Sequence, residues 1–171
     1  MLQRRGLFLS AFVAGVILLG SWSVQAKPSD FTVTAINGKW NGKKIGLRAF
    51  KNKVVYMTFF ATWCKPCLTE MKQLKRVYKK WKKKGLVVLA VSVDEPQTRA
   101  DVTPTVKRYK IKYPVVIDKS GQIVRLFNPK RATPFSVLFD RKHKIKKTRS
   151  SFQISDMAEI KAEILAELKN K

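Results

Sequence analysis

Residues 59–71 read FFATWCKPCLTEM. The two cysteines in it, Cys64 and Cys67, stand two residues apart and are the only ones in the chain. Upstream, KVVYMTFFAT (53–62) is a nearly continuous apolar and β-branched run, the pattern of a strand buried on both faces. Downstream, Leu68, Met71, Leu74, Val77, Tyr78 and Trp81 recur at steps of three and four, which makes one face of an amphipathic helix. That helix closes on KKWKKKG, with cations at its C-terminus and Gly85 just past it, as the helix dipole and a left-handed cap favour. GLVVLAVSVD (85–94) is a second buried strand. Strand, helix and strand form a βαβ unit, the building block of parallel sheets.

Outward from this unit the pattern stays α/β. FTVTAING and KKIGLRAF, within 27–53, alternate around Gly/Asn turn residues and predict a hairpin. Residues 97–110 predict a helix, with Pro104 moving its firm start to about that position. YPVVID (113–118) is a short strand, and KSG then turns the chain into QIVRLF. A loop, NPKRAT, leads to the strand PFSVLFD (134–140), and DRKHK turns it into a basic hairpin partner around Ile145. SDMAEIKAEILAELKN makes a last helix with Ser155 as its N-cap. Without repeats or linkers, residues 27–171 form one domain.

Residues 1–26 predict an export signal. MLQRR is a basic start, Leu7–Leu19 an apolar core, and SVQA ends with small residues before a cleavage point at Lys27. The alternative is an uncleaved anchor over 7–22, although the apolar run is shorter than the roughly 20 residues that span a bilayer. The Arg4-Arg5 pair hints at twin-arginine export, with general secretion the default. Each route makes the domain periplasmic or otherwise extracytoplasmic, where disulfides persist.

The chain has 171 residues, 36 Lys+Arg against 11 Asp+Glu, and a formal net charge of +25. Such a charge bears on neighbours rather than on fold. Lys79 to Lys84 and Arg141 to Arg149 make two dense clusters. They are solvated helix ends and turns, or they attract an anionic membrane or cell-wall surface. No nucleic-acid motif accompanies them, so nucleic acid is not an expected partner, and a monomer is expected.

A Cys-x-x-Cys serves either half of a zinc site or a redox dithiol. Structural zinc wants four Cys or His ligands, and His143, between two lysines in a turn, is the only histidine. No metal and no cofactor beyond the cysteine pair is therefore expected. Cys64 opens the helix, where unpaired backbone N–H groups and the positive helix end favour a thiolate. It is the expected nucleophile and the more exposed cysteine, with Cys67 one turn later as the resolving one. Lys65 adds a nearby positive charge, and Pro66 suits a first turn, where its missing N–H costs nothing.

VVYMTFFATWCKPCLTEM resembles the active-site segment of the thioredoxin superfamily, in particular its exported TlpA/ResA-like branch. The resemblance runs over about residues 30–168. It implies a thioredoxin-like fold: a central mixed β-sheet flanked by helices, with an N-terminal β-hairpin extension and the branch's extra strand and helix. Trp63-Cys64-Lys65-Pro66-Cys67 matches the branch's Trp-Cys-x-Pro-Cys. Glu70 matches a glutamate that tunes the thiols there, here placed in the first helical turn. Thr133-Pro134 matches the family's cis-proline, whose neighbouring backbone pairs with an incoming peptide. Trp63 is read as core packing or as a shield over the disulfide, and Phe50, Phe59 and Phe60 as core.

Thr58 stands where cytosolic thioredoxins carry a buried aspartate, so its proton-transfer role passes to Glu70. NPKRATPF makes a cationic rim to the groove, suited to acidic partners. The resemblance implies a thiol–disulfide oxidoreductase that reduces protein disulfides outside the cytoplasm, for example in cytochrome c maturation, fed by a membrane electron donor. A surface-binding module with a static disulfide, or an oxidising member of the superfamily, are the alternatives. A thiol peroxidase would want Pro-x-x-x-Thr-x-x-Cys, which MTFFATWC (57–64) does not supply.

Overall fold

The computed structural model describes residues 30–170, so the predicted export signal lies outside the described residues. Strand β1 (Val33–Thr34) pairs antiparallel with β2 (Lys44–Ile45) as a small hairpin. Leu47–Phe50, read as part of its second strand, is instead a 3-10 turn with Leu47 and Phe50 buried. Strand β3 (Val54–Phe60), helix α1 (Lys65–Trp81) and strand β4 (Leu86–Ser92) form the βαβ unit, and both strands are buried at every position. Gly85, just past the helical run, has φ 101°, the left-handed conformation that glycine adopts without a Cβ penalty.

Helix α2 (Val102–Arg108) and strand β5 (Val115–Ile117) follow. Pro104 lies in the first turn of α2, where the N–H it lacks would have had no partner, so the helix begins two residues before the proline. QIVRLF becomes helix α3 (Gln122–Phe127), and β6 (Phe135–Phe139) and β7 (Ile145–Arg149) make the basic hairpin. Helix α4 (Met157–Lys169) closes the domain. Its entry is held by Gln153 and Asp156 in a capping box around a 3-10 turn, which corrects the reading of Ser155 as the cap.

The main sheet has the order β5-β4-β3-β6-β7. β3, β4 and β5 run parallel; β6 is antiparallel to β3 and β7 to β6. Alternate residues of β3 serve opposite faces. Tyr56 and Phe60 join α1, α2 and α4 in one core cluster. Val55, Met57 and Phe59 join α3 and Phe31, Ile45, Leu47 and Phe50 in the other. The N-terminal hairpin is thus the cover of the second face, not an appendage. Asn37 anchors it to the sheet edge: its side chain bonds the carbonyls of Ile111 and Tyr113 and accepts from the N–H of Val115. Phe50, Phe59 and Phe60 are all buried.

Candidate active site

In a parallel sheet the loops after the strands gather at one end, and the cysteines lie there, after β3. Ala61 to Trp63 make a sharp turn in which Cys64 N–H donates to the Ala61 carbonyl at 3.1 Å. Cys64 is the N-cap of α1, and its sulfur accepts from Cys67 N–H at 3.3 Å. Pro66 occupies the first turn. Cys64 and Cys67 are joined as a disulfide, with their Cα atoms 5.3 Å apart. Cys64 is the more exposed, at 5% against 0%, so both sulfurs are largely covered in the oxidised state. An anion on Cys64 Sγ would face the N–H groups that begin the helix, which is where negative charge is favoured.

Glu70 is the sixth residue of α1, past the first turn in which the sequence reading placed it, and it is almost fully buried. Its carboxyl accepts from Thr58 Oγ1 at 2.8 Å and from the Tyr56 hydroxyl at 3.0 Å. The Tyr56 hydroxyl also lies 2.9 Å from Ser136 Oγ. Burial pushes the Glu70 carboxyl up from about 4.5 to about 7, against the opposing pull of the two hydroxyl bonds and the Arg149 charge. Burial and the neighbouring Glu70 raise Tyr56 well above its ordinary value, so it remains a donor. Glu70 therefore sits where it can be either charged or neutral at physiological pH. It follows Cys67 by three residues, on the same side of α1.

The Thr133–Pro134 peptide bond is cis, and it enters β6 at the end where Phe135 pairs with Phe59. Thr133 and Trp63 line a shared cleft of about 260 Å³ with Asp94, Glu95, Asp118 and Arg131. Trp63 is 66% exposed, so it is neither core nor fully packed cover; it stands as an open aromatic face at the rim. The cleft is of mixed charge: Arg99, Lys119 and Arg131 line it against Glu95, which pairs with Arg131 at 3.5 Å, and the buried Asp94 and Asp118. Lys65 and Pro66 are exposed beside the cysteines. His143, expected in a solvated turn, is half-buried at the opposite end of the sheet, its Nε2 3.1 Å from the Phe50 carbonyl oxygen.

Two residues absent from the sequence reading hold the site's loops. Asp94, buried just beyond β4, accepts from Thr62 N–H at 3.1 Å, Thr62 Oγ1 at 2.6 Å and Ser92 Oγ at 2.9 Å. It fixes the turn that presents Trp63 and Cys64. Asn128 both donates to and accepts from the Ala132 backbone, at 2.8 and 3.0 Å, and so shapes the approach to Pro134. The only advance signal was their type: Asp and Asn are the side chains that most readily bond local backbone.

The sequence matches the model of the AhpC/TSA family over residues 24–155. It is 37% identical over 145 residues to the thiol–disulfide oxidoreductase ResA of Bacillus cereus, covering 81% of this chain and 80% of the relative. Among solved structures, a Chlorobium tepidum protein described as a thiol:disulfide interchange protein DsbE superposes with a TM-score of 0.73 at 29% identity, over 83% of this chain and 95% of that one. The exposed lipoprotein thioredoxin of Streptococcus pneumoniae superposes with a TM-score of 0.65 at 27% identity, over 79% of this chain and 99% of that one.

Proposed function

The chain belongs to the AhpC/TSA family and is a ResA-like thiol–disulfide oxidoreductase, and from that premise we propose that it reduces protein disulfides outside the cytoplasm. The observation that carries the reading is the Cys64–Cys67 pair at the start of α1, with a buried carboxyl held near neutrality three residues on.

In the reduced enzyme the Cys64 thiolate attacks one sulfur of a partner's disulfide, and the partner's other sulfur leaves as a thiolate. Cys67 gives its proton to Glu70 and attacks Cys64 Sγ; the bridge closes and the partner's second sulfur is released. Two electrons pass from the dithiol to the partner, whose thiolates take up protons from Glu70 and solvent. The N–H of Cys67 and the Lys65 charge favour the thiolate on Cys64. Trp63, Thr133 and Pro134 border the cleft for the incoming peptide, with Thr133 offering its backbone as the pairing edge. No cofactor beyond the cysteine pair is required.

The reducing direction is supported by Pro66, shared with reducing relatives of the same fold. An extracytoplasmic location is supported by the predicted export signal and by the pneumococcal relative, described as an exposed lipoprotein. Turnover there requires a membrane electron donor to reopen the bridge. Cysteines awaiting haem attachment in cytochrome c maturation are the substrates that the branch resemblance favours.

Cys67→Ser leaves the first attack intact and removes the second, so it is expected to accumulate mixed disulfides with partner proteins on Cys64. Those adducts would appear on non-reducing gels and vanish with dithiothreitol. No adducts in cells where the variant is well expressed, or adducts accumulating on Cys67 in a Cys64→Ser variant, would contradict the order of attack.

A further inference from the structure

The disulfide marks one end of the molecule, and the opposite end is rich in lysine and arginine. Helix α1 has 17 residues and spans about 25 Å, so its C-terminal lysines lie that far from Cys64. Around them gather the start of β3, the β6–β7 turn and the end of α4. Arg141 ties these together by donating to the carbonyls of Asn52, Leu168 and Asn170 at 2.9–3.0 Å. Lys51, Lys53, Lys83, Lys84, Lys142 and Lys144 are exposed on this end. Asp140, the acid of the β6–β7 turn, is engaged by the backbone N–H groups of Lys142 and Lys144.

The same field continues up one flank. A groove of about 810 Å³ between α1, the turn at Gly38 and the approach to β5 is lined by Lys39, Arg76, Lys79, Lys82, Lys110 and Lys112 among others, with Tyr78 on its wall. No carboxylate lines it, and none of these cations has an acidic partner among the described residues. Trp40 is half-buried beside it, with Lys39 and Lys43 Nζ 5.1 and 5.9 Å from its ring. By contrast, the ion pairs on α4 and β7 each match Lys or Arg with Glu159, Glu163 or Glu167. The cations of this end and its flank are thus unpaired, whereas those facing α4 are matched by acids.

We propose that this cationic end docks the enzyme on an anionic phospholipid bilayer, with the Cys64–Cys67 end facing away from the lipid. The inference stands independently of the direction of electron flow. Two features favour a bilayer over a polymer or a partner protein. The charge wraps around several chain segments rather than staying in the groove, as a planar surface requires. It is carried mainly by lysines, point charges suited to diffuse attraction rather than to forked recognition. Basic residues act this way within a Debye length, about 10 Å at 0.1 M salt, so the lysines at this end engage while the disulfide stays clear.

The test is co-sedimentation of the purified full-length protein with phosphatidylcholine vesicles, with and without a phosphatidylglycerol fraction. Lys79→Glu/Lys82→Glu/Lys83→Glu is compared with Lys119→Glu/Lys130→Glu/Lys161→Glu, which changes the net charge equally elsewhere. All these lysines are exposed, and far-UV circular dichroism with urea unfolding confirms that each variant is folded. Phosphatidylglycerol-dependent binding is expected to fall on the order of 100-fold in the first variant and only a few-fold in the second. Bound wild type should have its disulfide reduced by a soluble thioredoxin at the free rate. Equal weakening in both variants, or binding indifferent to phosphatidylglycerol, would overturn the proposal. So would a tenfold slowing of reduction on the vesicle, or tighter binding to soluble polyphosphate than to vesicles.

Discussion

Glu70 shows how one residue's surroundings set its chemistry. On an exposed helix it would be an ordinary surface acid. Against β3 it loses water and is left with two hydroxyl donors. Its folded-state value, about 7, lies above its unfolded value near 4.5. The stability it contributes is therefore full below about pH 4.5 and is lost as pH rises through about 7. The span corresponds to about 3 kcal/mol. Glu70→Gln is expected to flatten the pH dependence of urea unfolding across that window; equal slopes in both proteins would contradict the buried-carboxyl account. Thr58→Val removes the stronger of the two bonds that favour the charged form, so it should push the Glu70 carboxyl higher still, read by carbonyl NMR titration. Asp94→Ala leaves the Thr62 N–H without its partner and should cost about 2 kcal/mol in urea unfolding. A cost near zero would mean that the turn before Cys64 holds itself.

At the scale of elements, α1 joins the core to the chemistry. Leu74, fully buried midway along it, faces the sheet. Leu74→Ala should cost about 3 kcal/mol while leaving the Cys64–Cys67 end in place, measured by thermal unfolding alongside activity. The entry to α4 gives a sharper contrast: Asp156→Ala should cost about 1 kcal/mol, and Ser155→Ala close to nothing. The reverse ranking would restore the cap that the sequence suggested. The βαβ unit was legible because buried strands and an amphipathic helix differ in length and period over many residues. QIVRLF is too short to show either period, and its helical form depends on the second core face it fills with Ile123, Val124 and Phe127. The cysteine pair, Glu70 and Thr133-Pro134 were legible as local motifs. Asp94 and Asn128 were not, because their partners are set by where β4 and α3 end in space. The exposure of Trp63 was hidden for the same reason: an aromatic beside a strand reads as core until the turn after the strand is known.

At the scale of the whole molecule, two asymmetries coincide. The parallel strands bring the disulfide, the buried carboxyl and the mixed-charge cleft to one end, and a dense group of unpaired lysines covers the other end and its flank. An excess of 25 positive charges says nothing of this separation, which only the direction of α1 reveals. It lets one end meet a partner's sulfur while the other meets a surface. The central claim remains that the cysteine pair serves as a reductant. It is tested most directly by the midpoint potential of the Cys64–Cys67 couple, measured at pH 7 by equilibration against dithiothreitol and glutathione buffers. The account predicts a value near or below about −230 mV, among thioredoxin-like reductants; a value near −120 mV, that of a strong disulfide-forming oxidant, would contradict it.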